Sequence, residues 1–157
     1  TKKIAKKIDQ LYFAYGSCMN AKSLLATCPN AHLVGTATLP NYTLTFQGQS
    51  MFRTSGVGNI QRQNGAEVIG VLWRITSERD LRALDRREGA PFVYRAVKVS
   101  VVTENGEKVQ AFTYQMTEPG AHLAPTTHYL GVVLDSPIPS FYKKRIRKLA
   151  RTEGVYV

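Results

Sequence analysis

Residues 94–116, YRAVKVSVVTENGEKVQAFTYQM, hold two strand-like runs around a single turn. In the first run Val97, Val99 and Val101 share one face and Lys98 and Ser100 the other, the period-two pattern of a half-buried strand. The second run, KVQAFTYQM, follows Glu104-Asn105-Gly106, and an Asn-Gly pair tolerates the positive φ that a tight hairpin needs. A hairpin makes its two strands antiparallel, so this stretch sets the class of the sheet.

Working outward, QLYFAY (10–15) is a short apolar run suited to a fully buried strand. LVGTATLPNYTLTFQ (33–47) reads as two strands with a bend at Pro40-Asn41, and EVIGVLWRI (67–75) follows the turn signal Asn64-Gly65. Helices are fewer. Ser77 can cap ERDLRALDRREG, with Leu81 and Leu84 as its apolar stripe and Gly89 at its end. Asn20 can cap a short helix through Leu24 and Leu25 that stops before Pro29, and Thr126 to Leu134 suits another. In PSFYKKRIRKLARTEG (139–154), Phe141, Tyr142, Ile146 and Leu149 form one stripe opposite lysines and arginines, and Gly154 ends the helix. Strands outnumber helices and hairpins outnumber crossovers. The expected fold is therefore a mainly antiparallel α+β domain, with closure into a barrel left open. Residues 1–10 read as a basic arm and 11–157 as a single domain, with no repeat or linker between.

The totals suit that reading. The chain has 157 residues, 43% of them hydrophobic and 20% charged, enough for one domain with a real core. No apolar run approaches the ~20 residues that cross a bilayer. TKKIAKKIDQ is basic but lacks the apolar stretch of a secretory signal, so the cytoplasm is the expected location. The net charge of +10 comes from the ends: Lys2, Lys3, Lys6 and Lys7, then Lys143, Lys144, Arg145, Arg147, Lys148 and Arg151. Without interleaved aromatics or a reading motif, these clusters argue for a solvated helix face and an arm rather than a nucleic-acid partner. Cys18 and Cys28 are too few and too oddly spaced for a zinc site; two reduced thiols are the expected state, with a disulfide left open. The three histidines show no ligand spacing, so no metal is expected.

Three places can carry chemistry. Glu88 ends an amphipathic helix just before Gly89 and Pro91, where the partial negative charge of the helix end disfavours a carboxylate anion. That would raise its proton affinity toward the range of a base that must also act as an acid, although glutamates near helix ends are usually solvated. The Gly16-Ser17 turn joins a strand to a helix and offers backbone N–H groups to an oxyanion or carboxylate. It lacks the Gly-Lys-Ser/Thr of a P-loop and the second glycine of a hydrolase elbow. Cys18 would need His32, His122 or His128 as a base for nucleophilic work, and nothing ties one of them to it. Tyr12, Tyr15, Tyr94, Tyr114, Tyr129 and Tyr142 read mainly as core residues.

Taken together, YFAYGSCMN, ATLPNYTLTF, GAEVIGVLWRI and LRALDRREGAPFVYRAVKV, followed by FTYQM and IPSFYKKRI, resemble the γ-glutamylcyclotransferase family over residues 11 to 150. The resemblance implies an α+β fold, a small mixed, mainly antiparallel β-barrel decorated by short helices, and an active site joining the Y-G-S loop to the glutamate of a D-x-x-E-G segment. Carried over by position, Tyr12, Phe13, Ala14, Tyr15, Gly16 and Ser17 would form the substrate loop and Glu88 the general acid/base. Tyr94 matches a tyrosine often found after the glutamate, and Tyr142 would supply a substrate-contacting hydroxyl. The family loop is usually Y-G-S-N, and Cys18 stands in place of the asparagine. That exchange raises the prospect of slow turnover, an altered substrate or a non-catalytic binder.

The implied reaction needs no cofactor. The α-amine of a γ-glutamyl amide attacks its own γ-carbonyl, giving 5-oxoproline and a free amine. The partner is then a small γ-glutamyl compound: an amino acid derivative, an amine or a masked metabolite. QGQSMFRTSGVG (47–58) is expected near the barrel mouth, with Met51, Phe52 and Arg53 shaping the leaving-group side. A γ-glutamyl or small-acid binder without turnover, and a nucleic-acid-associated protein using both basic ends, are the other classes.

Overall fold

A computed structural model of the chain describes residues 7–48 and 55–152. Along them run β1 (Lys7–Ala14), a 3-10 turn (Ser17–Met19), α1 (Ala21–Thr27), β2 (His32–Gln47) and β3 (Val57–Ser77). Then come α2 (Glu78–Glu88), β4 (Tyr94–Thr103), β5 (Lys108–Met116), α3 (Thr127–Leu134) and α4 (Ser140–Thr152). The strands close into a barrel in the order β1-β3-β2-β4-β5. Strand direction alternates around it except where β5 meets β1, which pair in parallel with Tyr12 opposite Phe112. Alternating directions cannot close a ring with an odd number of strands, so one parallel junction is unavoidable. The expected mixed, mainly antiparallel barrel is the one observed.

The 94–116 hairpin forms as its sequence predicts. β4 and β5 pair from Tyr94 with Met116 to Val102 with Lys108, and Gly106 takes φ 84° in the turn. Val99 and Val101 are buried and Val97 half-buried. The stretch 33–47 differs from expectation: it is one strand, not two. Asn41 takes φ 64° and its side-chain Oδ1 accepts from the Gly65 N–H at 3.1 Å. Register passes from Pro40 opposite Glu67 to Tyr42 opposite Arg62, so Gln63 to Ala66 bulge opposite Asn41. Asn64-Gly65 thus lies inside the long strand β3 rather than in a turn before a separate strand.

The buried core takes Phe13 and Leu72 from one face of the β1–β3 pair and Tyr12 and Trp73 from the other, together with Phe46, Ile60 and Leu84 of α2. At Gly70 the β1 and β3 backbones approach so closely that a Cβ would lie 2.2 Å from the Ala14 carbonyl oxygen and 2.7 Å from the Phe13 ring. Gly70→Ala is therefore expected to lower stability by about 1–3 kcal/mol or more, read as a fall in the denaturant midpoint at unchanged slope.

Two boundaries move. β1 begins at Lys7 and pairs Lys7 with Ser77 and Gln10 with Ile75, so residues 7–10 belong to the barrel and not to an arm. On α4 the buried stripe is Tyr142, Ile146 and Ala150, while Phe141 is 54% exposed. Phe141 lies a residue off that stripe and sits beneath the Arg145 guanidinium at 5.7 Å instead of in the core. Lys2, Lys3, Lys6, Met51, Phe52, Arg53 and Gly154 lie outside the described residues. No helix of the described residues is long and apolar enough to cross a membrane.

Candidate active site

The end of α2 is built as its sequence predicts. Ser77 caps the first turn by accepting from the Asp80 N–H, and Gly89 ends the helix in the left-handed region at φ 65°. That stop aims Glu88 into a cavity of about 180 Å³ at the barrel end. Facing it are Tyr12, Tyr15, Gly16 and Ser17 from β1 and the turn after it, with Cys18 beside the carboxylate. The remaining walls come from Tyr94 of β4, Tyr114 of β5, Tyr129 of α3, and Val57 and Gly58 at the start of β3.

Glu88 is half-buried as a residue, and withdrawal of its carboxyl from water raises its proton affinity above the ordinary carboxylate value. The Arg87 guanidinium and a hydrogen bond from Cys18 pull the other way without cancelling it. The direction agrees with the expectation from the helix end. The cause is burial.

The Y-G-S turn is held by three elements. Trp73 Nε1 of β3 donates to the Cys18 carbonyl at 3.0 Å. Arg87 Nη2 donates to Ser17 Oγ at 3.1 Å and Ser23 Oγ at 2.6 Å, while its Nη1 reaches the Ser23 carbonyl at 2.9 Å. Asn20 caps α1 and donates to the Asp135 carbonyl at the end of α3 at 2.7 Å. Arg87 thus ties the end of α2 to the loop that faces its neighbour Glu88. Arg87→Lys is expected to raise KM about tenfold, because one ammonium cannot span these partners; steady-state kinetics checks it.

Tyr129, which the sequence offered only as a core residue, is placed more pointedly. Its hydroxyl oxygen accepts from the Gly58 N–H at 2.9 Å and hydrogen-bonds the Ser17 backbone as well. A Cβ on Gly16 would lie 2.9 Å from that hydroxyl and one on Gly58 3.1 Å, so both glycines leave room for it. The Gly58 carbonyl in turn accepts from the Tyr94 hydroxyl at 2.7 Å. Tyr15 donates to the Tyr114 carbonyl at 2.6 Å, and the Tyr114 hydroxyl donates to Asp85 at 2.5 Å. Burial raises the proton affinity of Tyr12, Tyr15, Tyr114 and Tyr129, so these phenols stay neutral.

Sequence reasoning placed three residues here that do not line the cavity. Phe13 and Ala14 are fully buried in the barrel wall, Phe13 because alternation turns it to the opposite side from Tyr12. Tyr142 lines a separate cavity of about 120 Å³ with Thr43, Leu44 and Glu67, since α4 packs on the long β2–β3 ribbon away from Glu88. The tyrosine from the C-terminal helices that does reach the site is Tyr129. No histidine lines the cavity, and burial pushes the Cys18 thiol up to about 12, so Cys18 has neither base nor thiolate for nucleophilic work. Among the described residues both cysteines are free, and no three His, Cys, Asp or Glu side chains gather to hold a metal.

A family model described as Gamma-glutamyl cyclotransferase, AIG2-like matches residues 12–131, which include Glu88 and every cavity residue named above. The chain belongs to the γ-glutamylcyclotransferase family. Within it, the chain is 30% identical to the Gamma-glutamylcyclotransferase of Bos taurus over 88% of its own length and 78% of the relative's. The Homo sapiens protein of the same name is 28% identical over the same shares. Among solved structures, one titled Gamma-glutamyl cyclotransferase superposes with a TM-score of 0.80 at 26% identity, covering 88% of this chain and 86% of that one. The family barrel is thus the frame that holds the Glu88 cavity.

Proposed function

We propose that Glu88 carries the proton transfers of an intramolecular γ-glutamyl cyclisation in this cavity. Membership of the family supplies the reaction class, that of a γ-glutamylcyclotransferase. The observation that carries the residue assignment is one carboxyl of raised proton affinity facing a small, phenol-lined cavity. About 180 Å³ is less than the roughly 300 Å³ at the low end of whole-ligand pockets. It suits a glutamyl head with the amine half outside, toward Val57.

The walls fold the head so that its α-nitrogen meets its own γ-carbonyl, removing much of the entropic cost of ring closure. Glu88, as carboxylate, takes a proton from the α-ammonium, and the freed amine attacks the carbonyl carbon. The C–O π pair moves to oxygen, where the Tyr129 hydroxyl, itself fixed by backbone N–H groups of Gly58 and Ser17, donates to it. Glu88 then protonates the leaving nitrogen, the C–N bond breaks as the oxyanion collapses, and Glu88, again a carboxylate, passes the second proton from the ring nitrogen to the departing amine. Of the three ammonium protons one stays on 5-oxoproline, and two leave with the amine as its ammonium. One carboxyl alternating as base and acid meets this need. The step calls on no cofactor. Two buried free thiols suit a reducing compartment such as the cytoplasm.

The test is release of 5-oxoproline from a panel of γ-glutamyl amino acids, amines and γ-glutamylated small metabolites. Product from any member supports the reading. Binding without product from every member would make the protein a γ-glutamyl binder instead.

A further inference from the structure

Position 18 follows the Y-G-S turn, and its side chain touches the proposed acid/base directly. Cys18 Sγ lies 3.7 Å from Glu88 Oε1, within hydrogen-bond reach for sulfur. The Tyr12 phenol also interacts with the same sulfur. The residue is 3% exposed and its carbonyl is held by Trp73, so the thiol cannot swing away. Burial and the Glu88 charge keep it protonated at any working pH. A thiol that does not ionise is a poor nucleophile and a persistent donor.

We propose that Cys18 is a positioning residue for Glu88: it donates S–H to Oε1, accepts from the Tyr12 phenol, and so aims the carboxylate into the cavity and favours its charged form. This rests on Glu88 being the acid/base of the proposed cyclisation. A base buried among phenols has a specific difficulty, because removal from water favours its neutral form and a neutral carboxyl cannot take a proton. The groups facing Glu88 are Tyr12 of β1, Tyr15 just after it, Tyr94 of β4, Tyr114 of β5, Tyr129 of α3, Cys18 of the turn and Arg87 of its own helix. Arg87 and Cys18 are the neighbours that favour the anion. The Arg87 guanidinium is engaged with Ser17, Ser23 and Thr27, whereas Cys18 meets the carboxylate oxygen itself. The Tyr12–Cys18–Glu88 chain also restricts the carboxylate's rotation, which a base serving first one nitrogen and then another needs.

The test titrates the Glu88 side-chain carboxyl by carbon-13 resonance in glutamate-labelled protein, with Glu88→Gln identifying the signal. Cys18→Ala is expected to raise the midpoint by about half a pH unit, about threefold in the ionisation equilibrium. Cys18→Ser, which keeps a donor, is expected to titrate at or below the parent's midpoint. Because Cys18→Ala opens space that water can enter, Cys18→Val, which fills that space with one methyl to spare and has no donor, is measured beside it and is expected to show the same rise. The acid limb of kcat/KM for 5-oxoproline release should move with the midpoint in each variant. A midpoint unmoved or lowered in Cys18→Val, in protein whose amide spectrum is otherwise that of the parent, overturns the proposal. If the midpoints move as expected while no γ-glutamyl compound yields product, the positioning role stands and the proposed reaction fails.

Discussion

Glu88→Gln is expected to cut kcat for 5-oxoproline release by about 10²–10⁴-fold, the usual contribution of a positioned acid/base. The amide keeps the shape of the side chain and its place at the end of α2, so substrate affinity should change much less than turnover. A pH signature should accompany the loss. Glu88 holds its proton more tightly folded than unfolded. Its contribution to parent stability is therefore full below the ordinary carboxylate value and is lost as pH rises through its raised folded value. Glutamine does not titrate. The variant's Tm should match the parent's most closely in acid and gain on it as pH rises through that window. A Tm difference independent of pH would mean that Glu88 is not held in a dry site, and unchanged turnover would remove it from the chemistry while leaving the reaction class intact.

Tyr129→Phe is expected to lower kcat by about 10²–10³-fold, the cost of losing one oxyanion donor. The ring stays, so KM should move little. The loss has a structural side: the Gly58 N–H and the Ser17 backbone give up the hydroxyl they share. Leaving such groups unpaired costs about 1–3 kcal/mol. Activity must therefore be compared at equal folded protein, below the lowered Tm. Tyr142→Phe is the matched control, since that tyrosine lines the separate cavity under α4 and its loss should leave kcat within about twofold. If the two variants behaved alike, Tyr129 would have no place at the reacting oxygen.

These two tyrosines show where sequence reasoning stops. Both lie near the C-terminal end on helical stripes, and nothing in their local spacing separates them. α3 is carried back over the turn after β1, with Asn20 bonded to its last residues, whereas α4 is carried to the β2–β3 ribbon. Only the path of the chain between residues 116 and 140 decides that, and the path is set by contacts such as the Gly48, Phe46 and Gly56 backbones bonding residues 120 to 124. Glu88 was legible for the opposite reason: Ser77, the leucine spacing and Gly89 bound its helix within twelve residues, and those signals act through neighbours in sequence.

Local chemistry thus determined the hairpin at 94–116, the caps of the helices and the mainly antiparallel class of the sheet. Each follows from torsional preference or from side-chain period, which a short segment carries by itself. The tertiary structure alone decided the long bulged β2–β3 ribbon, the seating of Tyr129 between Gly16 and Gly58, and the contact of Cys18 with Glu88. The last pair is seventy residues apart in sequence. Burial and distance between such groups are properties of the closed barrel, and they determine how tightly Glu88 holds a proton.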